Sequence, residues 1–486
     1  MRRAEDDPPT AYTVSRRDFL GAASGVLVVS FGALAPGRAQ GPFGTRASHI
    51  DPSQLDSWLA VSADGSVTAH TGKCELGQGM HTAQVQLVAE ELGVGVDRVR
   101  LVMCDTDVCP DQGTTSGSQS TPTNFNEQNL ALAAATAREA LVRLAAARLG
   151  VPADRLVAEA GAVHVATDAS RRVTYADLVA GRKFTMPLDR RARRKLPATW
   201  TVLGAPVRRL DLPDLVTGRA EFVHTVRVPG MLHGAVVRPP SVGATVVRVD
   251  ERSVGGLPGV VKVVTLGNFV GVVAEKPWQA IQAARSLKVT WTEGTRLPQQ
   301  QDFSRYLRTQ PSRDALVVDS GDVEAQLSAA REVLRATYLH PYQMHGSLGS
   351  SCAVADVGDE KVTIWSATQS AYPTRSGVAL LLGIAPDKVR VIFTRGSGCY
   401  GINGADTVSY DAALLSNAVR RPVRVQLSRK DEMAWENYRH HHCRRRGGQR
   451  HLRCDRGADP PGALHARART SSPGLARPRV TVGQGG

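Results

Sequence analysis

No two cysteines in this chain stand at CxxC spacing. The seven, Cys74, Cys104, Cys109, Cys352, Cys399, Cys443 and Cys454, match neither an iron–sulfur nor a zinc pattern, so any electron-carrying cluster must lie on another chain. Their odd number argues against a complete disulfide framework. Aromatic residues are scarce at 5 %, no internal repeat is evident, and the apolar run from Gly21 to Leu34 is too short to span a bilayer. What remains is the composition of an ordinary globular protein, 42 % hydrophobic with 46 glycines. At 486 residues the chain exceeds one core, and two to four domains are expected.

The formal charge of +15 is unevenly placed. Residues 439–486 hold eleven Arg, two Asp and no Lys, so the rest of the chain carries only a small excess. The run Arg190 to Lys195 (RRARRK), just ahead of Pro197, reads as an exposed linker. No nucleic-acid partner is expected. Residues 439–486 also lack Glu, Ile, Phe, Met, Trp and Tyr, and so cannot build a core. A GC-rich gene read out of frame yields such composition, and the expectation is a frameshifted, disordered tail in which His440, His441 and His442 form no metal site. A genuine basic or metal-binding tail is the alternative.

At the other end, Ser15-Arg16-Arg17-Asp18-Phe19-Leu20 and the apolar run after it resemble a twin-arginine export signal over residues 1–39, with Gly37-Arg38-Ala39 as the cleavage region. An uncleaved anchor is the alternative. The address implies a periplasmic or exported protein. Twin-arginine export carries folded chains, so it suits one that receives a complex cofactor before crossing.

Two glycine-punctuated turns stand out in the body of the chain. Glu75 to Met80 (ELGQGM) lies between a strand at Val67 to Thr71 and a helix at Thr82 to Leu92, whose Val85, Val88 and Leu92 have helical spacing. Arg395 to Gly401 (RGSGCYG) follows a strand at Val389 to Thr394. Glycine admits close approach of a ligand, and unpaired N–H groups at a helix start attract anions, so both turns read as cradles for a large anionic cofactor. A hydroxyl-rich stretch, Thr114 to Thr121 (TTSGSQST), precedes a helix at Leu130 to Leu149 and offers donors for a phosphate or a pterin edge; a solvated loop with a helix cap is its alternative. From Gly204, short strands such as Leu232 to Val237 and Val260 to Val264 alternate with a helix at Pro277 to Leu287, as in a compact α+β domain. A third region begins near Leu334 and holds the strand Val362 to Ser366 and the helix Thr374 to Leu382.

Together these motifs resemble the molybdopterin-binding large subunit of the xanthine dehydrogenase and aldehyde oxidase family, in particular its isoquinoline 1-oxidoreductase beta-subunit-like branch. GKCELGQGMHTAQVQLVAEELGV is similar to the family's pterin-side turn, DTDVCPDQGTTSGSQST to its second cofactor loop, and LVTGRAEFVHTVRVPGMLHGAVVRPP to its hammerhead domain. WSATQSAYPTR followed by GSGCYGIN resembles the TQ turn and the GGGFGG-type loop. The resemblance implies an α+β fold of the molybdenum hydroxylase type with an inserted α/β hammerhead domain. Its expected divisions are 48–203 (molybdopterin-binding, with the GQG loop), 204–295 (hammerhead) and 296–438 (a first molybdopterin-binding subdomain, incomplete).

It further implies that Gln369 hydrogen-bonds an oxo ligand of molybdenum, and that Gly398, Cys399, Tyr400 and Gly401 form the loop beneath the metal. Gly77, Gln78, Gly79, Thr115, Ser116, Gly117, Ser118 and Ser120 would hold the pterin, in its cytosine dinucleotide form, and no side chain would ligate the metal. Cys399 stands where the family has glycine and reads as a small filler. The implied reaction is hydroxylation of an aldehyde or N-heterocycle with water as oxygen donor, electrons passing to a small 2Fe–2S subunit and an exported cytochrome c. The family's GExxxP-like glutamate, its general base, has no counterpart in the chain. A truncated, catalytically incompetent member and a non-enzymatic exported binding protein therefore stay open as alternatives.

Overall fold

The structure, a computed structural model, describes residues 50–115, 130–179, 184–295, 298–313, 320–341, 343–404 and 406–436. Ser116, Gly117, Ser118 and Ser120, the export signal and the arginine-rich tail lie outside them. Two compact units are distinguished, one of residues 1–296 with 344–447 and one of residues 297–343 with 448–486. In the second, the described part holds short helices at Phe303–Thr309 and Val323–Ala329, the latter capped by Asp322 Oδ1, which accepts from Ala325 N at 2.8 Å. No described helix is long and apolar enough to cross a membrane.

The first unit starts with β1 (Leu59–Val61), β2 (Val67–Thr71) and β3 (Val99–Met103), where β1 pairs antiparallel and β3 parallel with β2. The crossover between the parallel strands is α1 (Met80–Leu92), as a parallel pair requires. Gly79 at its start and Gly93 at its end both have positive φ, so the helix is bounded by residues that tolerate the left-handed region. The alanine-rich α2 (Leu130–Leu149) packs against α1, and β4 (Leu156–Glu159), β5 (Ala162–Val165) and β6 (Asp168–Thr174) form an antiparallel meander. One core joins them through Trp58, Val85, Val88, Leu92, Leu141 and Val163, all at most 1 % exposed.

A seven-stranded mixed sheet organises the rest. Its strands are β7 (Leu232–Val237), β9 (Val260–Leu266), β10 (Phe269–Ala274), β12 (Cys352–Val357), β13 (Val362–Ser366), β14 (Val389–Phe393) and β15 (Val423–Gln426), in the order β14-β13-β12-β15-β7-β10-β9. A separate two-stranded sheet, β8 (Val246–Asp250) with β11 (Lys288–Trp291), accompanies α3 (Pro277–Ser286) around a small core of Val254, Val270, Val272, Ala283 and Leu287. The large sheet runs through both the expected hammerhead region and the region after it, because β15 pairs parallel with β7. Crossover helix α4 (Ala371–Leu382) joins the parallel pair β13–β14, and α5 (Thr407–Val419) packs on β12 and β15.

The basic run Arg190 to Lys195 is not wholly the exposed linker its composition implied. Arg194 Nε lies 3.0 Å from Glu91 Oε1, Lys195 Nζ lies 3.5 Å from Glu90 Oε1, and Arg138 also pairs with Glu91. Both glutamates are 0 % exposed in the C-terminal half of α1. Glu90 Oε2 accepts the N–H groups of Thr201, Val202 and Leu203 at 2.8, 2.6 and 3.1 Å. Burial pushes its pKa up, but these N–H donors and Lys195 outweigh burial and leave it below the ordinary value.

Candidate functional site

Side chains of the expected site gather because two pairs of parallel strands release their loops from carboxyl ends, where open sheets of this kind place ligands. β2 ends at Thr71 and leads into ELGQG, while its neighbour β3 leads through Cys104 to Thr115. β13 ends at Ser366 and leads into Thr368, Gln369 and Ser370, while its neighbour β14 leads into RGSGCYG. The chain leaving β3 also runs along β14, with Phe393 N donating to Cys104 O at 3.1 Å and Thr106 N to Val391 O at 3.1 Å. This contact locks the two sheets together.

Gln369 is the junction. Thr115 N donates to Gln369 O at 2.8 Å, and Gln369 Nε2 donates back to Thr115 O at 2.9 Å. Cys74 N, beside the first turn, donates to Thr115 Oγ1 at 3.0 Å. On the other side, Cys399 Sγ donates to Gln369 Oε1 at 3.0 Å. The path Cys74–Thr115–Gln369–Cys399 thus joins both glycine turns and the root of the hydroxyl-rich stretch, and Thr114 Oγ1 adds a bond of 2.8 Å to Ser370 Oγ. Cys399, 2 % exposed, is therefore a hydrogen-bonding partner and not merely a filler. Burial raises its thiol pKa, which keeps it protonated and able to donate.

The first turn departs from the expected cradle. Glu75, 0 % exposed, accepts Gly77 N at 2.8 Å and Gly79 N at 3.1 Å on Oε1, and His81 N at 2.8 Å on Oε2. The N–H groups expected to face an anion are held by a carboxylate of the chain itself. Gln78 also folds onto its own turn, accepting Leu76 N at 2.6 Å and donating to Cys74 O at 2.9 Å. Gly77 and Gly79 have φ of 111° and 81°, and among the described residues no atom lies within 4 Å of where a Cβ would sit on either. The turn is closed to a phosphate by charge, yet its glycine face is open to a flat group.

A second link between the turns went unseen in the sequence. Arg209 Nη2 lies 3.6 Å from Glu75 Oε1 and 2.8 Å from Asp211 Oδ2, which Arg395 Nη1 reaches at 2.9 Å. The hydrogen bond from Arg209 opposes burial and, with Arg395, holds Asp211 down at about 2. His81 lies within the influence of all four charged groups. Burial lowers its pKa more than the two carboxylates raise it, so it is neutral near pH 7, and its buried Nδ1 has no hydrogen-bond partner among the described residues. In the second turn Gly398, Tyr400 and Gly401 have φ of 105°, 55° and 106°, and Tyr400 is 64 % exposed.

Asp406, 1 % exposed, accepts on Oδ2 from Ser366 Oγ, at the end of β13, at 2.8 Å and from Ser409 Oγ, while Oδ1 has no partner among the described residues. Burial pushes its pKa up to about 6 against the two serine bonds. Because the folded value exceeds the ordinary 3.8, the carboxyl is held protonated longer in the folded chain, and stability falls as pH rises from about 4 to about 6. Asp406→Asn removes this penalty, worth up to about 3 kcal/mol, and asparagine suits the left-handed φ of 41° at this position. Urea midpoints of the two chains should diverge at pH 7.5 in favour of the variant and converge at pH 4; a gap independent of pH would refute the assignment.

Two family models, each described as a molybdopterin cofactor-binding domain, match residues 28–203 and 308–445. A nicotinate dehydrogenase subunit from Pseudomonas putida is 40 % identical over 436 residues, covering 87 % of this chain and 36 % of that protein. The beta subunit of isoquinoline 1-oxidoreductase from Brevundimonas diminuta is 28 % identical over 502 residues, covering 90 % and 62 %. A crystal structure of quinoline 2-oxidoreductase from Pseudomonas putida 86 is 21 % identical, covering 48 % of this chain and 35 % of that one with a TM-score of 0.38. The chain thus spans about a third of the first relative and less than two thirds of the second. With both cofactor-binding models matched in order along it, the chain belongs to the xanthine dehydrogenase and aldehyde oxidase family of molybdopterin-binding large subunits.

Proposed function

We propose that this chain is the molybdopterin-binding catalytic subunit of an exported molybdenum hydroxylase that oxidises an N-heterocycle or an aldehyde with water as oxygen donor. The carrying observation is the Gln369 junction, which holds the second turn and the root of the hydroxyl-rich stretch against one amide. Two relatives whose names specify nicotinate and isoquinoline favour the N-heterocycle. Electrons pass to an iron–sulfur partner subunit and onward to an exported cytochrome c.

The open face over Gly77 and Gly79 fits the edge of a pterin. Ser116, Gly117, Ser118 and Ser120 would take the phosphates of a cytosine dinucleotide form, with Thr115 anchoring their root through its bonds to Gln369 and Cys74, since Glu75 denies phosphates the first turn. When bound, the group supplies a two-electron sink and a Lewis acid. Nε2 of Gln369 carries a second hydrogen beyond the one given to Thr115 O and would hold the bound group with it. Gly398, Cys399, Tyr400 and Gly401 would shape the floor, where the exposed Tyr400 ring offers an aromatic surface.

The test is molybdenum analysis of the purified chain with its pterin content, followed by dye reduction with nicotinate, isoquinoline and an aromatic aldehyde. About one metal per chain is expected, and heterocycle-dependent turnover would show that the reaction proceeds without the GExxxP-like glutamate. Metal without turnover supports the incompetent-member alternative, and neither metal nor pterin, from cells that load a control molybdoenzyme, overturns the proposal.

A further inference from the structure

We infer that Cys399 is a positioning residue whose thiol fixes which way round the Gln369 amide lies. An amide offers one acceptor and two donors, and a half-turn about its last bond exchanges them. Thr115 O can only accept, so it requires Nε2; the 2.9 Å bond meets that demand on one side of the amide. The thiol can donate, so it requires Oε1; the 3.0 Å bond meets the demand on the other. Both neighbours therefore select one orientation. The reverse would set Oε1 against Thr115 O and Nε2 against a poor acceptor.

The thiol is itself held from behind. Gly401 N donates to Cys399 Sγ at 3.4 Å, and Ser347 Oγ donates to Cys399 O at 3.2 Å. Receiving an N–H on sulfur directs the S–H outward toward the amide. Neither Gln369 nor Cys399 has room to swing, at 8 % and 2 % exposed. The consequence rests on the proposed function: the N–H of Gln369 left over is the one available to the cofactor, and Cys399, together with Thr115 O, keeps it an N–H and not a carbonyl. The orientation itself is independent of any cofactor and is tested without one.

A buried filler and a buried donor respond oppositely to small replacements. As a filler, Cys399→Ala would be tolerated better than Cys399→Ser, which buries an extra hydroxyl. As a donor, Cys399→Ser keeps the bond to Oε1 and Cys399→Ala loses it. The readout is hydrogen–deuterium exchange, by mass spectrometry, of the peptide containing Thr115, whose N–H is held by Gln369 O. The peptide covering α4 serves as internal reference. Cys399→Ala should exchange about fivefold faster at Thr115 and Cys399→Ser within about twofold of the parent, as the loss of one neutral hydrogen bond implies.

The opposite order, or equal rates in the two variants, overturns the inference. Cys399→Ser decides alone should Cys399→Ala fail to fold. A donor at this position keeps the bond to Gln369 Oε1 and leaves exchange at Thr115 within about twofold of the parent, whereas a filler is disrupted by the extra buried hydroxyl and exchange rises; a clear rise in Cys399→Ser overturns the inference. Because the chain is read without cofactor, a failure here leaves the metal analysis untouched, and a failure there leaves this result standing.

Discussion

Glu91→Ala is expected to destabilise the chain by about 3–5 kcal/mol, the range for removing one partner of a buried ion pair. The cost comes less from the lost attraction than from what is left behind. Arg138 and Arg194, with side chains 14 % and 11 % exposed, both pair with this carboxylate and would remain buried without it. Burial already lowers the Arg194 pKa, which marks how little water compensates there. The exposed pair Arg219–Asp214, at 62 % and 59 % exposed, provides the contrast. Asp214→Ala should cost less than about 1 kcal/mol. Urea unfolding of the two variants checks both values, and equal midpoints would refute the buried-pair account.

Glu75→Ala should cost about 3 kcal/mol and change what the first turn binds. Three N–H groups lose a charged acceptor, and bonds of that class contribute about 1.5–3 kcal/mol each before the water that replaces the carboxylate is counted. Arg209 keeps Asp211 but loses its second carboxylate, so the relay from one turn to the other is cut at its first link. The vacated helix start then presents donors and partial positive charge without an anion. Inorganic phosphate should raise the melting temperature of Glu75→Ala and leave the parent unmoved. A parent chain stabilised equally by phosphate would show that Glu75 does not fill the cradle.

Much of this site is legible in the amino-acid order alone. Gln369 and the turn at Gly398 follow strands whose β propensity is plain, and glycines with φ above 100° stand where the chain must turn back sharply. What pattern does not give is partnership across distance. Glu75, Arg209, Asp211 and Arg395 carry no shared period, and they meet only because two sheets lock along β14. Glu90 and Glu91 look like ordinary helix positions, and a helix with one apolar stripe would leave such adjacent acids in water. They are buried because α2 covers α1 on one side and the segment around Val202 covers it on another, with Gln86 Nε2 donating to Val202 O at 2.9 Å. The role of Cys399 escapes for a related reason: composition reports its size, whereas only geometry reports where its proton points.

The position of β15 has a consequence for how the molecule is made. Among the seven strands of the large sheet it comes last in the chain, yet it lies in the middle, antiparallel to β12 on one side and parallel to β7 on the other. Until Val423 to Gln426 have left the ribosome, two half-sheets each keep a raw edge of unpaired amides and carbonyls, which invites pairing with other chains. Closing that gap spans nearly two hundred residues of intervening chain, so assembly is slow and concerted, governed by a four-residue keystone.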